Sequence, residues 1–226
     1  MGGFYSATGV PMLVRESQAI QTNGRQLEMR IKVSLLLAAL VMFSLPALAQ
    51  EGNSEVSANF TGNFQKQASG FGLTDTSSDS AGLLANYRYH FNRWSGVEVN
   101  CGYTRYSQYY DSGSFTQATA QEASFAYLFT FGIPRESRFH PFAEAGAGAL
   151  FFSPVAAGSN NTGVTSQNRA AFLYGVGATY RLRGNLSFQA GYRGLVFTAP
   201  DFTVPNQVTN AKTQMAEPYA GLTFRF

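Results

Sequence analysis

The last ten residues, EPYAGLTFRF (217–226), alternate without a break: Ala220, Leu222, Phe224 and Phe226 fall on one side, Glu217, Tyr219, Gly221, Thr223 and Arg225 on the other. A strict period of two is the pattern of a β-strand with two unlike faces. Chain ends usually fray and are polar. Here the apolar face runs to the final residue, so this segment is expected to be a paired strand inside a larger sheet.

Seven segments upstream repeat the pattern: EVSANFTGNF (55–64), GLLANYRYHF (82–91), GVEVNCGYT (96–104), EASFAYLFTF (122–131), FAEAGAGALF (142–151), AFLYGVGATYRL (171–182) and LSFQAGYRGLVF (186–197). Each is near the 9–11 residues with which a tilted strand crosses the hydrocarbon of a bilayer. Their connections alternate in length. NRWS (92–95), GIPRESR (132–138) and RGN (183–185) are short, whereas those near 65–80, 107–119, 153–168 and 198–212 are long and rich in Ser, Gly, Asn, Thr, Asp and Pro. Short turns at one end and long loops at the other predict an all-β fold, an eight-stranded antiparallel up-and-down transmembrane β-barrel with its termini on the short-turn side.

Composition agrees. Of 226 residues only 13% are charged, yet there are 20 Phe, 12 Tyr and 23 Gly, and mean hydropathy is −0.11. Runs of about 20 apolar residues, needed for membrane helices, are missing from residue 50 onward. The single apolar run lies in MRIKVSLLLAALVMFSLPALAQ (29–50), with Arg30 and Lys32 ahead of it, Pro46 behind it and the small-residue site Ala47-Leu48-Ala49. That is the pattern of a cleaved signal peptide. The expected organisation is an N-terminal extension of doubtful translation (1–28), a signal peptide (29–49) and a barrel domain (50–226). The first 49 residues hold four of the 16 Lys and Arg and two of the 13 Asp and Glu, so the barrel domain carries only +1. Its basic residues are scattered, which excludes a nucleic-acid surface. With Cys101 as the only cysteine and two histidines, no intramolecular disulfide and no His/Cys metal site is expected, and no cofactor.

The polar face carries the chemistry. On it lie Arg88, Arg181, Arg193 and Arg225 with Glu98, Glu122, Glu144 and Glu217, four charges of each sign, among glycines such as Gly146, Gly148, Gly175 and Gly177. A barrel of eight strands is just wide enough for its own side chains to fill. Charges inside it must pair or reach water, because an unpaired buried ion is strongly destabilising. The interior is therefore expected to be polar and plugged by Arg/Glu pairs.

With these segments, and with Tyr219, Gly221, Phe224 and Phe226 spaced as a polar-x-Gly-x-x-aromatic-x-aromatic ending, the chain from Gln50 to Phe226 resembles the small eight-stranded outer-membrane β-barrel family typified by the OmpA transmembrane domain. The resemblance implies residence in the bacterial outer membrane among its lipids. It also implies recognition of those four residues by the barrel-assembly machinery, and a non-enzymatic structural or surface-contact role or slow diffusion of small solutes. Some members continue into a peptidoglycan-binding domain, whereas this sequence stops at Phe226, so a cell-wall tethering role is not expected. Loop aromatics, namely Tyr106, Tyr109 and Tyr110, FFSP (151–154) and TAPDF (198–202), are candidates for surface contacts or for the interfacial aromatic girdle. Two other classes fit less well. A lipid-modifying outer-membrane enzyme would need a Ser beside a His, and His90 and His140 both adjoin short turns. A soluble ligand-binding barrel would have to turn the aromatic face of all eight strands inward.

Overall fold

The computed structural model describes residues 53–111, 113–131, 137–159, 163–204 and 207–226. The extension and signal peptide expected over 1–49 lie outside the described residues, as does most of the second short turn.

Eight long antiparallel strands close into a ring. They are β1 (Ser54–Gln65), β4 (Ser80–His90), β5 (Ser95–Tyr110), β6 (Phe115–Thr130), β7 (Phe139–Ser159), β8 (Gln167–Arg183), β9 (Leu186–Thr198) and β10 (Lys212–Arg225). Between β1 and β4 a small hairpin, β2 (Ala68–Gly70) and β3 (Leu73–Ser77), stands on the long-loop end, with β3 paired to the top of β5. Each long strand pairs with its neighbours in sequence, and β10 returns to β1 with Glu55 opposite Arg225, Ala58 opposite Leu222 and Thr61 opposite Tyr219. That closure is why the final strand keeps an apolar face to its end: Phe226 N–H donates to the Ser54 carbonyl at 2.9 Å, and its own carbonyl accepts from Ser54 N–H at 3.4 Å. The β1–β10 ladder is interrupted opposite Pro218, which has no N–H to give.

The alternation sorts the faces as expected. Phe60, Leu83, Val99, Phe125, Phe172, Val176, Leu222 and Phe224 point outward and are exposed, while Ser57, Asn59, Asn86, Glu98, Asn100, Gln189 and Thr223 point inward and are buried. A soluble protein does not expose so continuous an apolar belt. Lipid solvates it, and the closed ladder pairs the strand backbones where hydrocarbon offers them no partner. The soluble-barrel alternative is thereby overturned, since its aromatic face would have to be the inner one.

The strands run further than expected on the long-loop side. The segment 107–119 is mostly strand: β5 and β6 have 16 residues each and only residues 111–114 separate them. Beyond the bilayer the outer face no longer needs apolar residues. There Arg105 donates to Gln117 at 2.7 Å on the barrel's outside, and polar residues on both faces hide the strand in the sequence.

Gly221 is required where the ring closes, because a Cβ there would lie 2.0 Å from the Ala58 carbonyl oxygen and 2.6 Å from Asn59 Cα. Both are backbone atoms that cannot move aside within a ladder. Gly221→Val is accordingly expected to destabilise the barrel by about 1–3 kcal/mol. The check is the fraction of unboiled protein that migrates as the compact, heat-modifiable form on a gel, which should fall below that of the wild type.

Candidate functional site

The interior is built in layers. At the short-turn end Glu55 accepts from Arg225 Nε at 2.8 Å, and His90 Nε2 lies 3.5 Å from the same carboxylate. Above it Arg88 is paired with Glu98 and its guanidinium lies 4.1 Å over the ring of Phe142. Asn59, Asn86 and Asn100 continue this layer, Asn86 donating to Glu98 at 3.0 Å. Arg193 is the centre of the next layer: it bonds Glu217 at 2.7 Å and also Glu122. Arg88 and Arg193 are each only 1% exposed. Gly175 makes room for Glu144 and Arg193, since a Cβ there would sit 2.5 Å from Glu144 Oε1 and 3.0 Å from Arg193 Cβ.

Three of these pairs follow from strand register, with Arg88 directly opposite Glu98, Arg193 opposite Glu217 and Glu55 opposite Arg225. The pair Arg193–Glu122 spans the lumen between β9 and β6, which are not neighbours. The expected four-against-four network is corrected at three places. Arg181 makes no ion pair among the described residues and sits half-buried at the short-turn rim. Glu144 is buried in the lumen, and neither carboxylate oxygen has a hydrogen-bond partner among the described residues. Glu55, the first residue of its segment, belongs to the network. Its parity with Ser57 and Asn59 was the available signal.

A second correction concerns the outer half of the lumen, where an apolar cluster packs beside buried polar residues such as Thr61, Asn63, Thr104 and Gln108. The cluster consists of Leu150, Leu173, Leu195, Phe152, Phe197, Tyr106 and Met215 with Ala118, Ala120 and Ala171, and Phe202 from the last long loop is buried among them. Each strand residue here has the parity of the polar face. Leu173 precedes Gly175 by two and Leu195 follows Arg193 by two, so the inner face changes character along the strand rather than switching sides. A smaller group, Leu84, Leu128, Phe142 and Tyr219, packs beside Arg88. Between the Arg193 layer and the apolar layer lies a pocket of about 10 Å³, lined by Thr104, Glu122, Leu150, Arg193, Met215 and others. That is room for about one water.

The last long loop is a strap across the outer mouth. Asp201 takes Thr203 N–H at 2.9 Å and faces Arg169 at 3.4 Å, Phe202 and Thr203 adopt φ of 49° and 63°, and the Pro200 carbonyl accepts from Tyr110 Oη at 3.1 Å and Gln108 Nε2 at 3.3 Å. TAPDF (198–202) is therefore internal filling and not an exposed contact segment, with Ala199 and Phe202 both buried. Tyr106 and Tyr110 also turn inward, whereas Tyr109 is exposed and stacks on Phe115 at 6.3 Å, and Phe151 faces outward. Of the four residues of the ending, Tyr219 and Gly221 face the lumen, and Phe224 and Phe226 stack at 6.4 Å on the outer face.

Gln108 also donates to Asp75 in the hairpin above the membrane. Burial pushes the Asp75 carboxyl up to about 7, and the Gln108 amide offsets part of that shift. A carboxyl raised in the folded state contributes stability that is complete below its unfolded value of about 3.9 and is lost as pH rises through the folded value. Asp75→Asn should therefore equal the wild type in resistance of the outer hairpins to proteolysis at about pH 4 and exceed it at about pH 8. In the central layer, Arg193→Ala strands Glu122 and Glu217 together and should cost about 3–5 kcal/mol. Urea unfolding in micelles followed by circular dichroism reads the loss, and adding Glu122→Gln and Glu217→Gln should restore part of it.

Comparison with known proteins places this geometry. The described strands superpose on Neisserial surface protein A with a TM-score of 0.55 at 21% identity, covering 76% of this chain and 97% of that one. The outer membrane protein OprG from Pseudomonas aeruginosa gives 0.54 at 13% identity, covering 78% and 97%. At such identities the likeness is one of fold. Among curated proteins none matches the chain. The model of the outer membrane protein beta-barrel domain matches residues 35–226, the larger part of the sequence and every strand of the ring. The chain thus belongs to the outer membrane protein beta-barrel family.

Proposed function

We propose that the protein is a sealed, non-enzymatic outer-membrane barrel whose role is structural and surface-directed: it anchors its outer hairpins in the membrane and does not conduct solutes. The observation that carries this reading is the burial of the side chains that point into the lumen. Two closures lie in series, the Arg88 and Arg193 layers below and the apolar layer under Phe202 above. Porins with 16 or more strands, by contrast, leave an aqueous bore. For an enzyme, a nucleophile beside a base is the minimum. Neither His90 nor His140 is hydrogen-bonded to a serine hydroxyl among the described residues, and both lie at the short-turn end. Export by a signal peptide cleaved after Ala49, folding by the assembly machinery through the Phe224 and Phe226 ending, and contacts made by Tyr109 and Phe115 on the outer hairpin complete the reading.

Because the closures are in series, removing one leaves the other. In planar bilayers the wild type, Arg193→Ala and Phe202→Ala are each expected to show no steady current, and the double variant Arg193→Ala/Phe202→Ala to show frequent openings. A large, stable conductance of the wild type would replace this reading with that of a diffusion channel. The mass of the protein isolated from outer membranes should correspond to a chain beginning at Gln50.

A further inference from the structure

Below the Arg88 layer the barrel opens into a cavity of about 560 Å³ at the short-turn end, within the range of about 300–1,000 Å³ common to small-molecule sites. It is blind: Leu128, Phe142 and Arg88 form its ceiling. Its charge is one-sided. Arg88, Arg93, Arg181 and Arg225 line it with His90 and His140, against one carboxylate among the described lining residues, Glu55. That carboxylate is already engaged by Arg225.

Three observations point to a ligand. Arg181 has no anionic partner among the described residues although it lines the wall. Arg88, which lines the ceiling and is held by Glu98 through Nε, has its Nη2 buried without a hydrogen-bond partner among the described residues. His140 Nε2 is likewise buried and has no hydrogen-bond partner among the described residues. Buried donors are nearly always satisfied, and guanidinium donors are matched best by the paired oxygens of phosphate or carboxylate. Neutral donors that suit the same oxygens line the cavity beside Arg181: Thr179 on the same strand, Ser187 opposite it on β9, and Asn185 in the turn between.

We infer that this vestibule is a binding site for a compact anion bearing two or more phosphate or carboxylate groups, taken up from the periplasmic side and held end-on against Arg88 and Arg181. The blind ceiling makes it a receptor site and not the mouth of a path, and the inference stands whether or not the lumen conducts. A reporter is built in. Trp94 is the only tryptophan, and Arg93, which lines the cavity, lies 5.1 Å over its ring.

The test is titration of the full chain in zwitterionic micelles with pyrophosphate and, separately, citrate, against sodium chloride of matched ionic strength. It is followed by calorimetry, with Trp94 fluorescence locating the event. Saturable heat is expected for at least one of the two anions, and which one saturates tells phosphate from carboxylate. Arg181→Gln, which breaks no ion pair among the described residues, should weaken binding by about tenfold or more, the worth of a charge-assisted hydrogen bond. Arg181→Lys should recover part of the loss. Gel migration of each variant before and after boiling verifies folding. Heats indistinguishable from the salt control, or an Arg181→Gln titration identical to the wild type, overturn the assignment.

Discussion

A strand in hydrocarbon has nowhere to leave an N–H or a carbonyl, and this one constraint organises the molecule. It forces β10 back onto β1, and it makes Gly221 necessary where the two backbones meet. It also carries an apolar face through to Phe226. The same closure creates an inside that lipid does not reach. Since the outside must be apolar to match its solvent, polar chemistry is confined to the lumen, reversing the usual arrangement of a soluble domain.

What fills that lumen is set by width. Eight strands leave a bore that side chains can occupy completely, and the two halves are occupied differently. Toward the short turns, charges are used, and they are arranged around two arginines. Arg88 is backed by Glu98 and the face of Phe142, and Arg193 is held by two glutamates. Buried ion pairs of this kind add little net stability over apolar packing, but losing one partner is severe. They therefore fix the register of the strands that carry them more than they strengthen the barrel. Toward the outside, leucines and aromatics form an apolar cluster inside the ring, and the last long loop folds inward to join that packing with Phe202. The charge left over is unevenly placed, with cations gathered at the short-turn mouth and a buried Asp75 at the opposite end.

The strand count, the two faces of each strand and the long-loop/short-turn polarity could be read from the sequence, because alternation is local and lipid imposes it uniformly across about ten residues. Legibility failed where lipid stops imposing it. Above the bilayer, Arg105, Ser107, Gln117 and Thr119 are strand residues with polar outer faces, so hairpin arms looked like loops. TAPDF looked like an exposed loop for a related reason: only the cavity left by the other strands turns Phe202 inward.

Within the candidate site the division is sharper. The sequence by itself determined that Arg88, Glu98, Glu122, Arg193 and Glu217 share the inner face, since parity along a strand decides that alone. It also contained, by the same parity, Glu55 and the inward leucines. Only the tertiary structure decided that Arg193 reaches across to Glu122, that Glu144 has no hydrogen-bond partner among the described residues and that Arg181 stands at the rim facing a cavity. Those relations join strands that are not neighbours, so they depend on the stagger and width of the closed ring, which period-two alternation within single strands does not encode.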